Sequence, residues 1–290
     1  MTYTKEKNKV EGGKLYLVAT PIGNLSDISE RALKVLAEVD FIAAEDTRNS
    51  IRLLTHFGIK KPLVSYHEHN KREKGAEICE RLKNGESCGL ITDAGTPAIS
   101  DPGEDLVRLC AENDIPVTSL PGCCAAITAL TLSALPTGRF TFEGFLSAVK
   151  KERRERLSEL SGETRTMIFH EAPHKLKATL ADMVEVFGAE RKISLCRELT
   201  KLNEDVMRTT LGEAVTYYDE NEPRGEYVLV LEGGETKSRE IFWQDMSVSE
   251  HIEYYIDMGL DRMDAIKKTA KDRGVNKNSV YKEYVTKEND

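Results

Sequence analysis

Short apolar runs alternate with stretches of helical spacing along the first half of the chain. Residues 15–19 form a β-favouring run that breaks at Thr20, Pro21, Ile22, Gly23 and Asn24. Helical spacing follows through Ile28, Ala32, Val35, Leu36 and Val39. The pattern then repeats. Residues 41–44 lead through Glu45, Asp46, Thr47 and Arg48 into an apolar stripe at Ile51, Leu54 and Phe57, closed by Gly58. Residues 63–66 pass through His67, Glu68, His69 and Asn70 to a helix ending at Asn84 and Gly85. Residues 89–92 reach a polar turn, and Asp101 and Pro102 open a helix to Asn113. Residues 117–120 and the turn 121–124 introduce a fifth helix, to about Leu135. Repeated strand–helix units of this kind predict a largely parallel sheet with helices on both faces.

Pro136 and Gly138 punctuate the pattern and mark a linker at 135–139. Beyond it, strands are expected at 140–145, 166–169, 193–196 and 227–231, with helices at 150–160 and 174–187 and helical spacing before Tyr218. Hairpin-like connections predict a mixed sheet here. From Ser247 the pattern changes to three short helices, at 248–258, 262–273 and 277–287. The expected organisation is a disordered start (1–13), an N-terminal α/β domain (14–136), a second α/β domain (137–236) and a helix-turn-helix-like tail (247–290).

The chain has 290 residues, 40% of them hydrophobic, which is enough core for two domains. No apolar run approaches the roughly 20 residues of a membrane span, so a soluble cytoplasmic protein without membrane contact is expected. The six cysteines lack the paired spacings of a zinc site or disulfide framework and read as buried thiols. A net charge of −8 argues against a wholly basic nucleic-acid binder. Between Arg262 and Lys287, however, eight Lys or Arg face three Asp or Glu. That basic tail suits either nucleic-acid contact or packing on the body or a second subunit.

Chemistry is expected to gather at 89–103. Gly95 and Gly103 permit close backbone approach there, and Asp93, Thr96, Ser100 and Asp101 offer side-chain partners. A plain strand-to-helix connection is the alternative. His170, Glu171 and His174 match the letters of a zinc-protease helix, but Pro173 bars the continuous helix which that chemistry needs. His67 and His69 would share a face only if their strand ran on, so a substrate loop is favoured over a metal site. At the preceding strand end, Glu45 and Asp46 stand beside Arg48 as an acceptor–guanidinium pair, or Asp46 simply caps the helix. No phosphate loop, dinucleotide fingerprint or nucleophile elbow is present, which weighs against ATP, NAD and serine-hydrolase chemistry.

Five stretches, V-A-T-P-I-G-N from Val18, A-E-D-T-R from Ala44, S-Y-H-E-H-N from Ser65, T-D-A-G-T-P-A-I-S-D-P-G from Thr92 and F-H-E-A-P from Phe169, occur in order. Together they resemble the ribosomal RNA small subunit methyltransferase I family of the tetrapyrrole methylase-like superfamily. The resemblance covers about residues 14–234, with residues 247–290 similar to that family's tail. It implies a two-domain class III methyltransferase fold and S-adenosylmethionine as cofactor. It also implies 2′-O-methylation of a cytidine ribose in the decoding region of 16S rRNA, within the 30S subunit, by a homodimer. Pro21, Ile22, Gly23, Asp93, Ala94, Gly95, Thr96, Ile99, Cys124 and Ala125 would line the cofactor cleft, with Phe169 and His170 closing over the adenosine. The family usually carries Ser where Cys124 stands; a thiol keeps the shape but donates more weakly. From their places at strand ends, Glu45, Asp46 or His67 is expected to accept the hydroxyl proton. Arg48 and the tail lysines Lys267, Lys268, Lys271 and Lys277 are expected to hold phosphate. A methyltransferase acting on a tetrapyrrole-type small molecule and a non-catalytic RNA-binding assembly factor are the other readings.

Overall fold

The computed structural model describes residues 9–234, 243 and 245–288. Most of the expected disordered start, and residues 235 and 236 of the expected second domain, lie outside the described residues. In chain order the first half runs β1 (Leu15–Val18), α1 (Glu30–Glu38), β2 (Phe41–Ala44), α2 (Thr47–His56), β3 (Leu63–Ser65), α3 (Lys71–Lys83), β4 (Cys88–Ile91), α4 (Gly103–Glu112), β5 (Val117–Leu120) and α5 (Ala125–Leu132). The sheet order is β3-β2-β4-β1-β5, and every pairing is parallel. β1, β2 and β4 are buried throughout because helices cover both faces, which is why they are continuous apolar runs. On one face lie Ala32, Val35 and Leu36 of α1 with Leu54 of α2. On the other lie Ile78 and Leu82 of α3 with Leu106 and Cys110 of α4. Each Val, Leu or Ile side chain among these contributes about 1.5–3 kcal/mol. Ile51 departs from the expected stripe and faces outward; Leu54 alone reaches the core from that turn. Because the strands are parallel, all their carboxyl ends, and the polar turns after them, lie along one edge of the sheet.

The second half runs β6 (Phe140–Phe145), α6 (Lys150–Glu159), β7 (Thr166–Glu171), α7 (Pro173–Phe187), β8 (Lys192–Arg197), β9 (Asp205–Thr210), α8 (Leu211–Glu220) and β10 (Tyr227–Leu231). The order is β6-β7-β10-β8-β9, with β6 parallel to β7 and the remaining pairs antiparallel. β9 had no signal in the sequence, since an edge strand that stays half exposed needs no apolar run. One face of this sheet packs Met167, Phe169 and Leu229 against Leu157, Leu176, Leu180 and Leu211. The opposite face packs Ile168, Cys196, Val228 and Val230 against Ala126, Ala129 and Leu130 of α5. Helix α5 follows the first sheet in sequence yet covers the second. It buries Ala126, Ala129 and Leu130 there and leaves Ile127 and Thr131 exposed, so the chain passes from the first sheet to the second through this helix.

The described residues fall into two compact units, one ending at Gly234 and the other following it. In the second unit, α9 (Val248–Asp257), α10 (Arg262–Arg273) and α11 (Lys277–Glu288) surround Ile252, Tyr255, Ile266 and Val280. Gly274, at φ +65°, closes α10 and makes the tight turn into α11. Among the described residues, no helix is long and apolar enough to cross a membrane.

Candidate functional site

Three strand-end loops of the first sheet are tied to one another. Thr20 and Gly95 exchange backbone hydrogen bonds at 2.9 and 3.0 Å. Gly95 sits at φ +85°, where a Cβ would be strained. The Thr96 hydroxyl donates to the Cys123 carbonyl at 2.9 Å. The turn after β1 also meets the second sheet's loops, since a Cβ on Gly23 would lie 2.4 Å from Lys201 Cγ.

Between these loops and the ends of β7, β8 and β10 lies a cavity of about 560 Å³. Ile22, Asp93, Ala94, Gly95, Thr96, Ile99, Cys124, Ala125 and His170 line it, so nine of the twelve positions expected around the cofactor meet in one place. Pro21 and Gly23 turn instead to a neighbouring hollow of about 390 Å³, in which Gly23 and Thr20 flank Pro21. Phe169 points the other way, into the core against α7. Strand alternation sends successive side chains to opposite faces, so His170 faces the cavity and Phe169 cannot.

Mostly apolar walls with a few polar groups suit a small organic ligand. One such group is His170, whose ring is edge-on to Phe142 and Phe145 at 5.2 and 5.3 Å. Burial pushes its pKa down and favours the neutral imidazole. Its Nε2 is buried without a hydrogen-bond partner. Such a group costs about 1–3 kcal/mol, a cost that a ligand hydrogen bond would remove. A second polar feature is the start of α5, whose N-cap Cys124 makes no side-chain cap, leaving N–H groups of Ala125 and Ala126 beside the cavity. Ala98, Ser100, Glu198 and Thr200 all adopt positive φ in the two loops that border this space, strained backbone of the kind that ligand sites concentrate.

The three candidate bases differ in setting. Glu45 lines the cavity, and its carboxyl is pushed up, first by burial and then by Asp93 and Asp101. Asp46 caps α2 by accepting from the Arg48 N–H at 2.9 Å and binds the Arg48 guanidinium at 3.0 and 2.7 Å. Those bonds hold it down at about 2, which makes it a poor proton acceptor. His67 lies in the turn after β3, outside the cavity wall, with Nδ1 buried and unpartnered. Because β3 stops at Ser65, His67 and His69 share no strand face. Likewise His170 is on β7 and His174 on α7, with Pro173 beginning the helix between them. No cluster of three metal-ligating side chains occurs among the described residues.

Arg48 is 85% exposed. In the tail unit Lys267, Lys268 and Lys271 are exposed on α10, with Lys267 paired to Asp264 at 2.7 Å and Lys268 over the Tyr255 ring at 4.9 Å. Lys277 is half-buried at the start of α11. Sequence reasoning missed the cavity residues from the second sheet, among them Phe145, Cys196, Glu198, Lys201 and Tyr227. The period of two in β8 and β10 could have placed Cys196 and Val228 opposite Leu195 and Leu229. The ion pairs from Lys201 to Glu198 and Glu226, at 2.8 and 2.9 Å, leave no local signal.

The model of the Tetrapyrrole (Corrin/Porphyrin) Methylases matches residues 14–215. A ribosomal RNA small subunit methyltransferase I of Halalkalibacterium halodurans is 47% identical, covering 98% of each chain. This chain belongs to that family of tetrapyrrole methylases. A second relative of the same name, from Bacillus subtilis, is 46% identical over 97% of each chain. Uroporphyrin-III-C-methyltransferase from Thermus thermophilus superposes with a TM-score of 0.54 at 19% identity, over 76% of this chain and 94% of that one. A cobalt precorrin-4 methyltransferase gives 0.57 at 16% identity, over 76% and 95%. At such identities the likeness is one of fold, and it is the class III methyltransferase fold expected from the sequence. In this tetrapyrrole methylase the 560 Å³ cavity lies between the strand-end loops of the first sheet and the ends of β7, β8 and β10.

Proposed function

We propose that the protein methylates small-subunit ribosomal RNA with S-adenosylmethionine, at the ribose 2′-hydroxyl of a cytidine in the decoding region, acting on the 30S subunit as a cytoplasmic homodimer. Relatives spanning nearly the whole chain bear the rRNA methyltransferase name. A Thermus thermophilus uroporphyrin-III C-methyltransferase of the same fold has been solved with S-adenosylhomocysteine. The observation that carries the reading is the cavity itself, where tied loops of one sheet face the unpartnered His170 nitrogen of the other.

The residues present fit the cofactor. Ile22, Ile99 and Leu199 offer apolar surface to a purine, His170 offers a ring nitrogen, and the free N–H groups opening α5 suit a carboxylate. When bound, S-adenosylmethionine supplies an electrophilic methyl group on a sulfonium. The chain's part is to align the ribose oxygen, exclude water and take the hydroxyl proton, a role that falls to the Glu45 carboxylate.

The basic tail favours RNA over a tetrapyrrole-type substrate, and a cavity of about 560 Å³, large enough for the cofactor, favours an enzyme over a pure assembly factor. Incubation with methyl-labelled S-adenosylmethionine and either 30S subunits or free rRNA tests both. Label should appear on a cytidine 2′-oxygen; label on a ring compound and none on RNA would refute the reading. Replacing Lys268 and Lys271 by Glu should weaken 30S binding roughly tenfold or more at about 0.1 M salt and flatten its salt dependence. Calorimetric binding of S-adenosylmethionine should stay unchanged, and an unaltered 30S affinity would free the tail of this role.

A further inference from the structure

Thr92 and Asp93 form an edge common to two spaces. It borders both the 560 Å³ cavity and the adjoining hollow of about 390 Å³. The rest of that hollow comes from the loop after β1, including Leu25, and from one face of α2, including Asn49, Arg52 and His56. Its size falls within the roughly 300–1,000 Å³ of sites that hold a small molecule. Arg48, Arg52 and His56 succeed one another at helical spacing along the outward face of α2, two guanidinium groups and an imidazole on an acidic protein. Arg48 is occupied by Asp46. Arg52 is exposed and has no ion-pair partner among the described residues. Asn49 donates from Nδ2 to Asp93 Oδ2 at 3.1 Å, which orients the amide and leaves its oxygen as an acceptor.

We infer that this hollow receives the acceptor nucleotide: one ribonucleotide drawn out of the RNA, its phosphate on Arg52, its base over Leu25 and beside Asn49, its ribose at the Thr92–Asp93 edge where the hollow adjoins the cofactor cavity. The inference rests on the function proposed above and names the place where its substrate sits. The ribose of one nucleotide has to reach a methyl donor held inside the protein, and an apolar floor with a guanidinium and an oriented amide is chemistry that accepts a nucleotide drawn out of its stack. Thr92 and Asp93 line both spaces, so a ribose at their shared edge turns its hydroxyl into the cofactor cavity that Glu45 also lines, while the base and phosphate stay in the hollow.

Two variants of the full-length enzyme test this. R52E reverses the phosphate-binding charge. L25W fills the hollow from a position already 41% exposed, so the fold is not strained. R52E should raise the KM for 30S subunits roughly tenfold, with R52K restoring most of the affinity. L25W should lower kcat at least as far. Both should bind S-adenosylmethionine with wild-type heat. Wild-type KM and kcat in R52E and L25W would overturn the nucleotide site while leaving the proposed function standing. Absence of cofactor heat, or of label on RNA, with the wild-type enzyme would overturn the proposed function and this site with it.

Discussion

Glu45→Gln lowers single-turnover methylation of 30S subunits by roughly 10²–10³-fold and leaves S-adenosylmethionine affinity unchanged, if Glu45 accepts the hydroxyl proton. The expectation follows from its place at the tip of β2, facing the cavity, with a carboxyl raised above 4.5 first by burial and then by Asp93 and Asp101. A raised pKa makes the ionised form a stronger base. Wild-type rate should therefore fall as pH drops through a value above the ordinary carboxylate range, and that limb should vanish in the variant. Stability should move the opposite way. A group whose folded pKa exceeds its unfolded one contributes stability that is present at acid pH and lost as pH rises through the folded pKa. Ionised Glu45 therefore weakens the fold at neutral pH, and the Gln variant should resist urea better at pH 7 but not below the unfolded carboxyl pKa. Loss of both rate and stability would make Glu45 structural; a wild-type rate with an unmoved limb would remove it from the reaction.

Asp182→Asn should cost about 3–5 kcal/mol of unfolding free energy in urea. Arg153 and Asp182 are 5% and 3% exposed. The guanidinium meets Asp182 Oδ2 at 2.8 and 2.6 Å, and Arg154 meets Oδ1 at 2.7 Å. Burial pushes the Asp182 carboxyl up, but the bonds from Arg154 and Arg153 outweigh it and hold the pKa below 3.8. Arg153 keeps its bonds to the carbonyls of Ser147 and Ala148 at 3.2 and 3.3 Å, but in the variant its charge stays buried without a counter-ion. Because the folded pKa is depressed, the pair's contribution is present above the unfolded carboxyl pKa and lost as pH falls through the lower folded one. Replacing both partners by apolar residues, R153M with D182L, should recover most of the loss, since no lone charge remains inside. A cost under about 1 kcal/mol for the single variant would mean that water reaches the pair.

Much of the site is legible in the amino-acid sequence, though unevenly. Thr20 to Asn24, Asp93 to Ile99 and Cys124 stand out because strand-end turns carry glycine, proline and short polar side chains for local backbone reasons. Asp46 is equally conspicuous, and only its bonds to Arg48 reveal a cap in place of a base. Arg153 reads as one more charge on a charged helix until α7 supplies Asp182.

The chain's own pattern determined the parallel sheet, the mixed sheet, the three-helix tail and the loops that carry chemistry. Those follow from hydrogen bonding, sterics and burial among residues near one another in sequence, which periodicity and turn residues report. Tertiary structure alone decided that α5 covers the second sheet, that Ile22 and Pro21 face different hollows, and that Glu198, Lys201 and Tyr227 complete the cavity. Those outcomes depend on which surfaces meet across long sequence separations, and contacts of that kind leave no trace in local spacing.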